Sequence, residues 1–156
     1  MINRQSQIKG SEEMKATYGI LFSLHIFVGI GAIFGGTAAI LNPQQPLGAP
    51  IEVLKNSPFS NYLIPGIILF SIIGLGNLSG ALAVIIKSKF QVYISSILGF
   101  ALIIWIIVQC IVLNGIHFLH ILFLVIGIIE STLSIVILFK LRLFPANIIC
   151  NYFKAI

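Results

Sequence analysis

The sequence predicts an all-α polytopic membrane protein, an antiparallel four-helix transmembrane bundle with both termini cytoplasmic, and three observations predict it. Of the 156 residues, 58% are hydrophobic and only 8% are charged, whereas roughly a quarter of the residues of a soluble domain carry charge. Four apolar blocks are each long enough to cross a bilayer. Lys and Arg gather at alternate ends of these blocks, which is the pattern of membrane topology.

Residues 1–17 are polar and mixed in charge, with Arg4, Lys9 and Lys15 against Glu12 and Glu13, and are expected to form a cytoplasmic N-terminal tail. The bundle is expected over 18–139, with spans at 18–41, 62–86, 92–113 and 117–139. The first block exceeds the 7–15 apolar residues of a cleaved leader and reads as an uncleaved span, although Thr37-Ala38-Ala39 would suit a cleavage site. Between spans one and two, Pro43, Pro46, Pro50 and Pro58 forbid a continuous helix. Ile51 to Asn56 has room for one short turn. Ser57-Pro58 is expected to cap the next helix, and Pro65 falls near that helix's start, where a missing N–H costs least.

Lys87-Ser88-Lys89 predicts a tight turn, and Asn114-Gly115 a second one. Residues 140–156 form a C-terminal tail, cytoplasmic or interfacial, whose mixture of Ile148, Ile149, Tyr152, Phe153 and Lys154 suits a membrane surface. Eight of the nine basic residues fall in the two tails and the Lys87 turn, and only Lys55 lies in the proline-rich loop. Positive charge stays inside, so the expected location is the cell (cytoplasmic) membrane, multi-pass, with N- and C-termini inside. Tyr18, Tyr62 and Tyr93 read as interface anchors.

The net charge of +5 does not point to nucleic acid, because the basic residues edge apolar blocks rather than sharing one face with aromatics. The expected partners are the lipid bilayer and a second copy or another membrane protein. Cys110 and Cys150 are expected near opposite faces, roughly 30 Å apart, beyond the reach of a disulfide. No C-x-x-C pair offers a redox centre.

Helices in lipid associate by close backbone approach at small residues. Such pairs stand at Gly31 and Gly35, Gly76 and Gly80, Ser95 and Gly99, and Gly127 and Ser131. A charge at mid-membrane costs at least about 2.5 kcal/mol, so polar residues in the spans must face protein. Stepping 100° per residue puts His120, Gly127, Glu130, Ser131 and Ser134 on one stripe of span four. Tyr18, His25, Gly29, Ala32 and Gly36 make a similar stripe on span one.

With a 1.5 Å rise per residue, Glu130 falls about 3 Å, Asn77 about 5 Å and His25 about 7 Å to the cytoplasmic side of the midplane. These three can meet. Trp105 falls about 4 Å to the other side, too deep for an interface anchor, and its N–H needs an acceptor, either Gln109 or Glu130. Glu130, Trp105, Gln109, His25 and Asn77 are therefore the candidates for ligand or proton binding. Each has a packing alternative, Glu130 as a hydrogen-bonding lock between helices and the others as inter-helix contacts.

No residue set supplies catalysis. The chain has no Asp, and three of its four Glu residues lie outside the spans. Neither G-x-S-x-G nor H-E-x-x-H occurs, and no cofactor site is visible. His117 and His120 are three apart but have no Cys or carboxylate near them in sequence, so no metal site is expected.

The runs Gly29-Ile30-Gly31-Ala32 through Gly35-Gly36, Ser57-Pro58-Phe59 with Ile64-Pro65-Gly66, Ile104 to Gln109, and Gly127-Ile128-Ile129-Glu130 carry a resemblance. From about Leu21 to Phe139 the chain resembles an uncharacterised family of small bacterial four-helix integral membrane proteins, and more distantly it is similar in layout to DoxX-like proteins. The resemblance implies the four-helix membrane fold. It marks Trp105, Gln109, Glu130 and the proline loop as shared features, and implies no activity.

Two functions fit these residues. One is a non-enzymatic accessory, structural or immunity-type component that binds membrane partners or lipids. The other is an oligomeric proton- or cation-coupled transporter or channel using Glu130, oligomeric because four short spans leave little room for a pathway in one copy.

Overall fold

Nothing in the polar stretch before Tyr18 breaks a helix, and α1 runs from Arg4 to Leu41, 38 residues. The structure, a computed structural model, describes residues 4–55, 57–145 and 147–149. The expected N-terminal tail is thus helical from Arg4 onward. At a length of about 57 Å, α1 exceeds the apolar thickness of a bilayer by several turns. Glu13 on this extension lies 3.7 Å from Lys140, an exposed pair of little energetic weight.

After α1 the prolines allow only two short 3-10 turns, Pro46–Gly48 and Ile51–Leu54. Ser57 caps no helix. Its Oγ accepts the Phe59 N–H at 3.2 Å, and α2 (Leu63–Ile68) starts later, where Asn61 Oδ1 accepts the Leu63 N–H at 3.0 Å. Tyr62, expected as an interface anchor, is buried and donates its hydroxyl to Pro50 O at 3.0 Å. The loop is thereby held over the bundle end, where Leu54, Tyr62 and Ala39 pack together.

The second apolar block is not one regular helix. A π-helical segment, Leu69–Leu75, separates α2 from α3 (Gly76–Ile85). Beyond the turn at Lys87, which takes a left-handed φ of 50°, come α4 (Gln91–Val112) and α5 (Phe118–Lys140). Four helical stretches are long and apolar enough to cross a membrane: Ile8–Leu41, Leu63–Ile85, Gln91–Val112 and Phe118–Lys140. Among the described residues there is no strand.

The distribution of side chains is inverted relative to a water-soluble bundle. Phe34, Ile97 and Ile111 are about two-thirds exposed, whereas His25, Asn77, Ser95, Glu130 and Ser134 have no exposure at all. Such a surface suits lipid, and such an interior is what lipid forces on polar groups.

α1 packs chiefly along α2 to α3, and α4 along α5, while the two pairs meet more loosely. Small residues set the close approaches. A Cβ on Gly36 would stand 2.7 Å from Phe70 N, and one on Gly99 would stand 2.6 Å from Ser131 Oγ. Gly76 and Gly80 abut Leu98, and Gly127 abuts Ile103. Gly31 and Gly35 are different. Their nearest neighbours are side-chain tips of Phe123 at 3.4 Å and Leu69 at 3.3 Å. The tight face of α1 passes instead through Gly29 and Gly36, which are seven residues apart and so lie on one stripe. Cys150 lies outside the described residues, and Cys110 is half-buried.

Candidate functional site

One polar side chain from each of the four spans converges on a single point in the interior. His25 comes from α1, Asn77 from α3, Ser95 from α4 and Glu130 from α5, and all four are fully enclosed. Asn77 Nδ2 donates to Ile73 O, a turn back on its own span, at 2.8 Å. That bond turns Oδ1 toward the imidazole, and His25 Nδ1 donates to it at 2.7 Å. On the other side of the ring, Nε2 is 2.8 Å from Ser95 Oγ. The hydroxyl gives its proton to a neutral ring and accepts one from an imidazolium.

Glu130 approaches the same ring, with Oε1 3.2 Å from His25 Nδ1. The ring N–H is already directed at Asn77, so this contact lacks hydrogen-bond geometry, and neither carboxyl oxygen has a hydrogen-bond partner. The pair is neutral overall both as imidazolium with carboxylate and as imidazole with carboxylic acid. Neutrality of the pair is what permits burial of both groups at zero exposure. Local packing fixes the cluster. A Cβ on Gly80 would come within 3.3 Å of the His25 ring, and one on Gly99 within 3.1 Å of Glu130 Cβ. Ser134 Oγ donates to Glu130 O at 2.7 Å and Ser131 Oγ to Gly127 O at 2.8 Å, so neither hydroxyl serves the carboxyl group.

Trp105 stands apart from this cluster. Its indole N–H has no partner in the protein, neither Gln109 nor Glu130, although the side chain is buried. The expected bond fails because Val28, Ile73, Leu102 and Ile126 pack into an apolar layer of which Trp105 is itself a member. Trp105 and Gln109 both border two cavities. The larger, about 180 Å³, lies between α1, the π segment, α4 and α5 and reaches His120 and Gly31. The smaller, about 50 Å³, lies under the proline loop against Tyr62 and Leu54. Neither is lined by Glu130 or His25.

The structure therefore brings together His25, Asn77 and Glu130, and separately Trp105 and Gln109. Two further participants carried a different reading in the sequence. Ser95 looked like half of a packing pair. Its place on the same helical face as Gly99, which packs against Glu130, is the signal that points to the cluster. His120, which read in the sequence as one member of the inward stripe of span four, is buried against the larger cavity. Its Nδ1 accepts the His117 backbone N–H at 3.1 Å, which leaves the ring proton on Nε2. Among the described residues no three His, Cys, Asp or Glu side chains cluster as metal ligands. No protein-family model, curated protein or solved structure matches the chain.

Proposed function

We propose that the chain is a non-enzymatic component of the cytoplasmic membrane that acts by binding lipid or membrane partners, as an accessory, structural or immunity-type protein. In this reading the spans are antiparallel and both termini are cytoplasmic. The opposed order of the contacts between spans one and two, Gly36 with Phe70 and His25 with Gly80, supports the first point. The gathering of basic residues in the tails and the Lys87 turn supports the second. The fold fits the small bacterial four-helix proteins, and the layout of DoxX-like proteins, that the sequence resembles.

The observation that carries the reading is the enclosure of Glu130. It is fully buried where polar side chains from all four spans meet, and neither of the two cavities that Trp105 borders reaches it. Glu130, His25, Asn77 and Ser95 then act as a clasp across the bundle, and binding belongs to the cavities and the apolar surface.

The competing reading, an oligomeric proton- or cation-coupled carrier, draws on the unpartnered Glu130 oxygens and the 3.2 Å approach to His25. Vesicles containing the purified chain and an internal pH-sensitive dye separate the two. Under imposed proton and potassium gradients, the binding reading expects uptake equal to that of empty vesicles. Uptake by the wild type that Glu130→Gln abolishes while the protein still folds would overturn it.

A further inference from the structure

We infer that the larger cavity binds a neutral, mostly apolar molecule about one ring in size, held by a carbonyl oxygen that accepts the Trp105 indole N–H. The inference rests on the binding reading above and names its ligand.

Size comes first. A cavity of roughly 150 Å³ accommodates benzene in a protein interior, and this one is about 180 Å³ and partly open. It has room for a ring or a short acyl segment, and a whole phospholipid is too large. The smaller space, about 50 Å³, suits only water-sized occupants.

The walls set the polarity. The surface is mostly apolar, with Val28, Leu69, Ile73, Leu102 and Phe123 in the lining, and no Lys, Arg, Asp or Glu is present. A charged ligand would be left without a counter-ion there. The polar groups that remain are weighted toward donors. Trp105 Nε1 is a donor with no partner, and a buried, unpaired donor is a cost that an incoming acceptor removes. His120, whose Nδ1 is occupied by the His117 N–H, has only its Nε2–H left to offer. Gln109 adds an amide at the same wall. An oxygen acceptor on an apolar frame satisfies this set, and a hydrocarbon does not.

Access and backbone agree with a built site. Gly31 on α1 and Leu119 on α5 border the cavity and are exposed, so it opens toward lipid where the two helix pairs meet loosely. The lining also contains Leu69 and Ile73 from the π segment, and single π-helical turns in α-helices are often found at functional sites.

Trp105 is the only tryptophan, so an ¹⁵N-labelled chain has one indole N–H resonance. The test follows that resonance in nanodiscs of dialkyl ether phosphatidylcholine, which carry no lipid carbonyl. Acetophenone is titrated against isopropylbenzene, its close match in shape without the oxygen. A saturable downfield shift with acetophenone, absent with isopropylbenzene and lost in Gly31→Leu, is the expected result. The Gly31 position faces only the tip of Phe123 at 3.4 Å, so the variant is expected to fold, and the two-probe comparison on the wild type does not depend on it.

A resonance that lies further downfield in diester than in diether discs, and that acetophenone moves in the diether discs, assigns the natural carbonyl to a lipid ester. The same resonance position in both disc types, with the acetophenone shift present, assigns it to a free molecule. A resonance unmoved by saturating acetophenone, or moved equally by isopropylbenzene, overturns the inference. That outcome leaves the vesicle result intact, and uptake in the vesicles would leave the resonance unaffected, so the two readings fail separately.

Discussion

His25 Nδ1 lies 3.2 Å from Glu130 Oε1, yet the proton on that nitrogen is directed at Asn77 Oδ1, 2.7 Å away. Glu130 therefore meets the ring without a directed hydrogen bond, whereas Asn77 and Ser95 contribute directed ones. The variants at these positions should differ in kind.

At Glu130, replacement by Gln keeps the volume and removes the charge. Inter-helix polar contacts in membranes average about 0.6 kcal/mol, up to about 1.7, so Glu130→Gln should cost about 1 kcal/mol in unfolding measured in mild detergent. Glu130→Ala removes one member of a buried pair and opens a void, and should cost about 3 kcal/mol or more.

Ser95→Ala leaves His25 Nε2 facing no partner, and should cost about 1–3 kcal/mol. Its sequence neighbour Ser96, which is only half-buried, is the control. Ser96→Ala should change stability by less than about 0.5 kcal/mol, as read by thermal unfolding followed by circular dichroism.

Glycines separate by what surrounds them. Gly36→Ala places a methyl group 2.7 Å from the Phe70 backbone nitrogen, which cannot move as a side chain does, and should destabilise by about 2 kcal/mol or more. Gly19→Ala meets nothing within 4 Å and should be neutral or gain up to about 1 kcal/mol from helix propensity.

Trp105→Phe removes an unpartnered buried donor. With the cavity empty no hydrogen bond is lost, but the smaller ring leaves a void in the apolar layer with Val28 and Ile73, and the variant should cost about 1–2 kcal/mol. With acetophenone present, only the wild type should gain in melting temperature, since a ligand that binds the folded state raises its stability.

Much of the fold was legible because lipid imposes simple rules on sequence. Long apolar runs with prolines and turns between them foretell the four helical stretches that are long and apolar enough to cross a membrane. The convergence of His25, Asn77 and Glu130 was legible from depth along the helix axis, since three polar groups at similar depth have few other places to go. Depth alone misled at Trp105. Its side chain joined an apolar layer with Val28 and Ile73, and helix rotation rather than depth decides such contacts. The π segment was invisible because it changes hydrogen-bond register without changing hydropathy. The helical extension from Arg4 was missed because polarity marks exposure and does not exclude a helix.

The central claim is that the buried polar cluster binds the four spans to one another. A double-mutant cycle on His25→Ala and Glu130→Ala, with unfolding free energies of both singles and the double measured in the same detergent, tests it most directly. The account expects a coupling of at least about 1 kcal/mol, since either partner alone leaves the other group uncompensated in the interior. Single variants that keep wild-type stability and add within about 0.3–0.5 kcal/mol would contradict it.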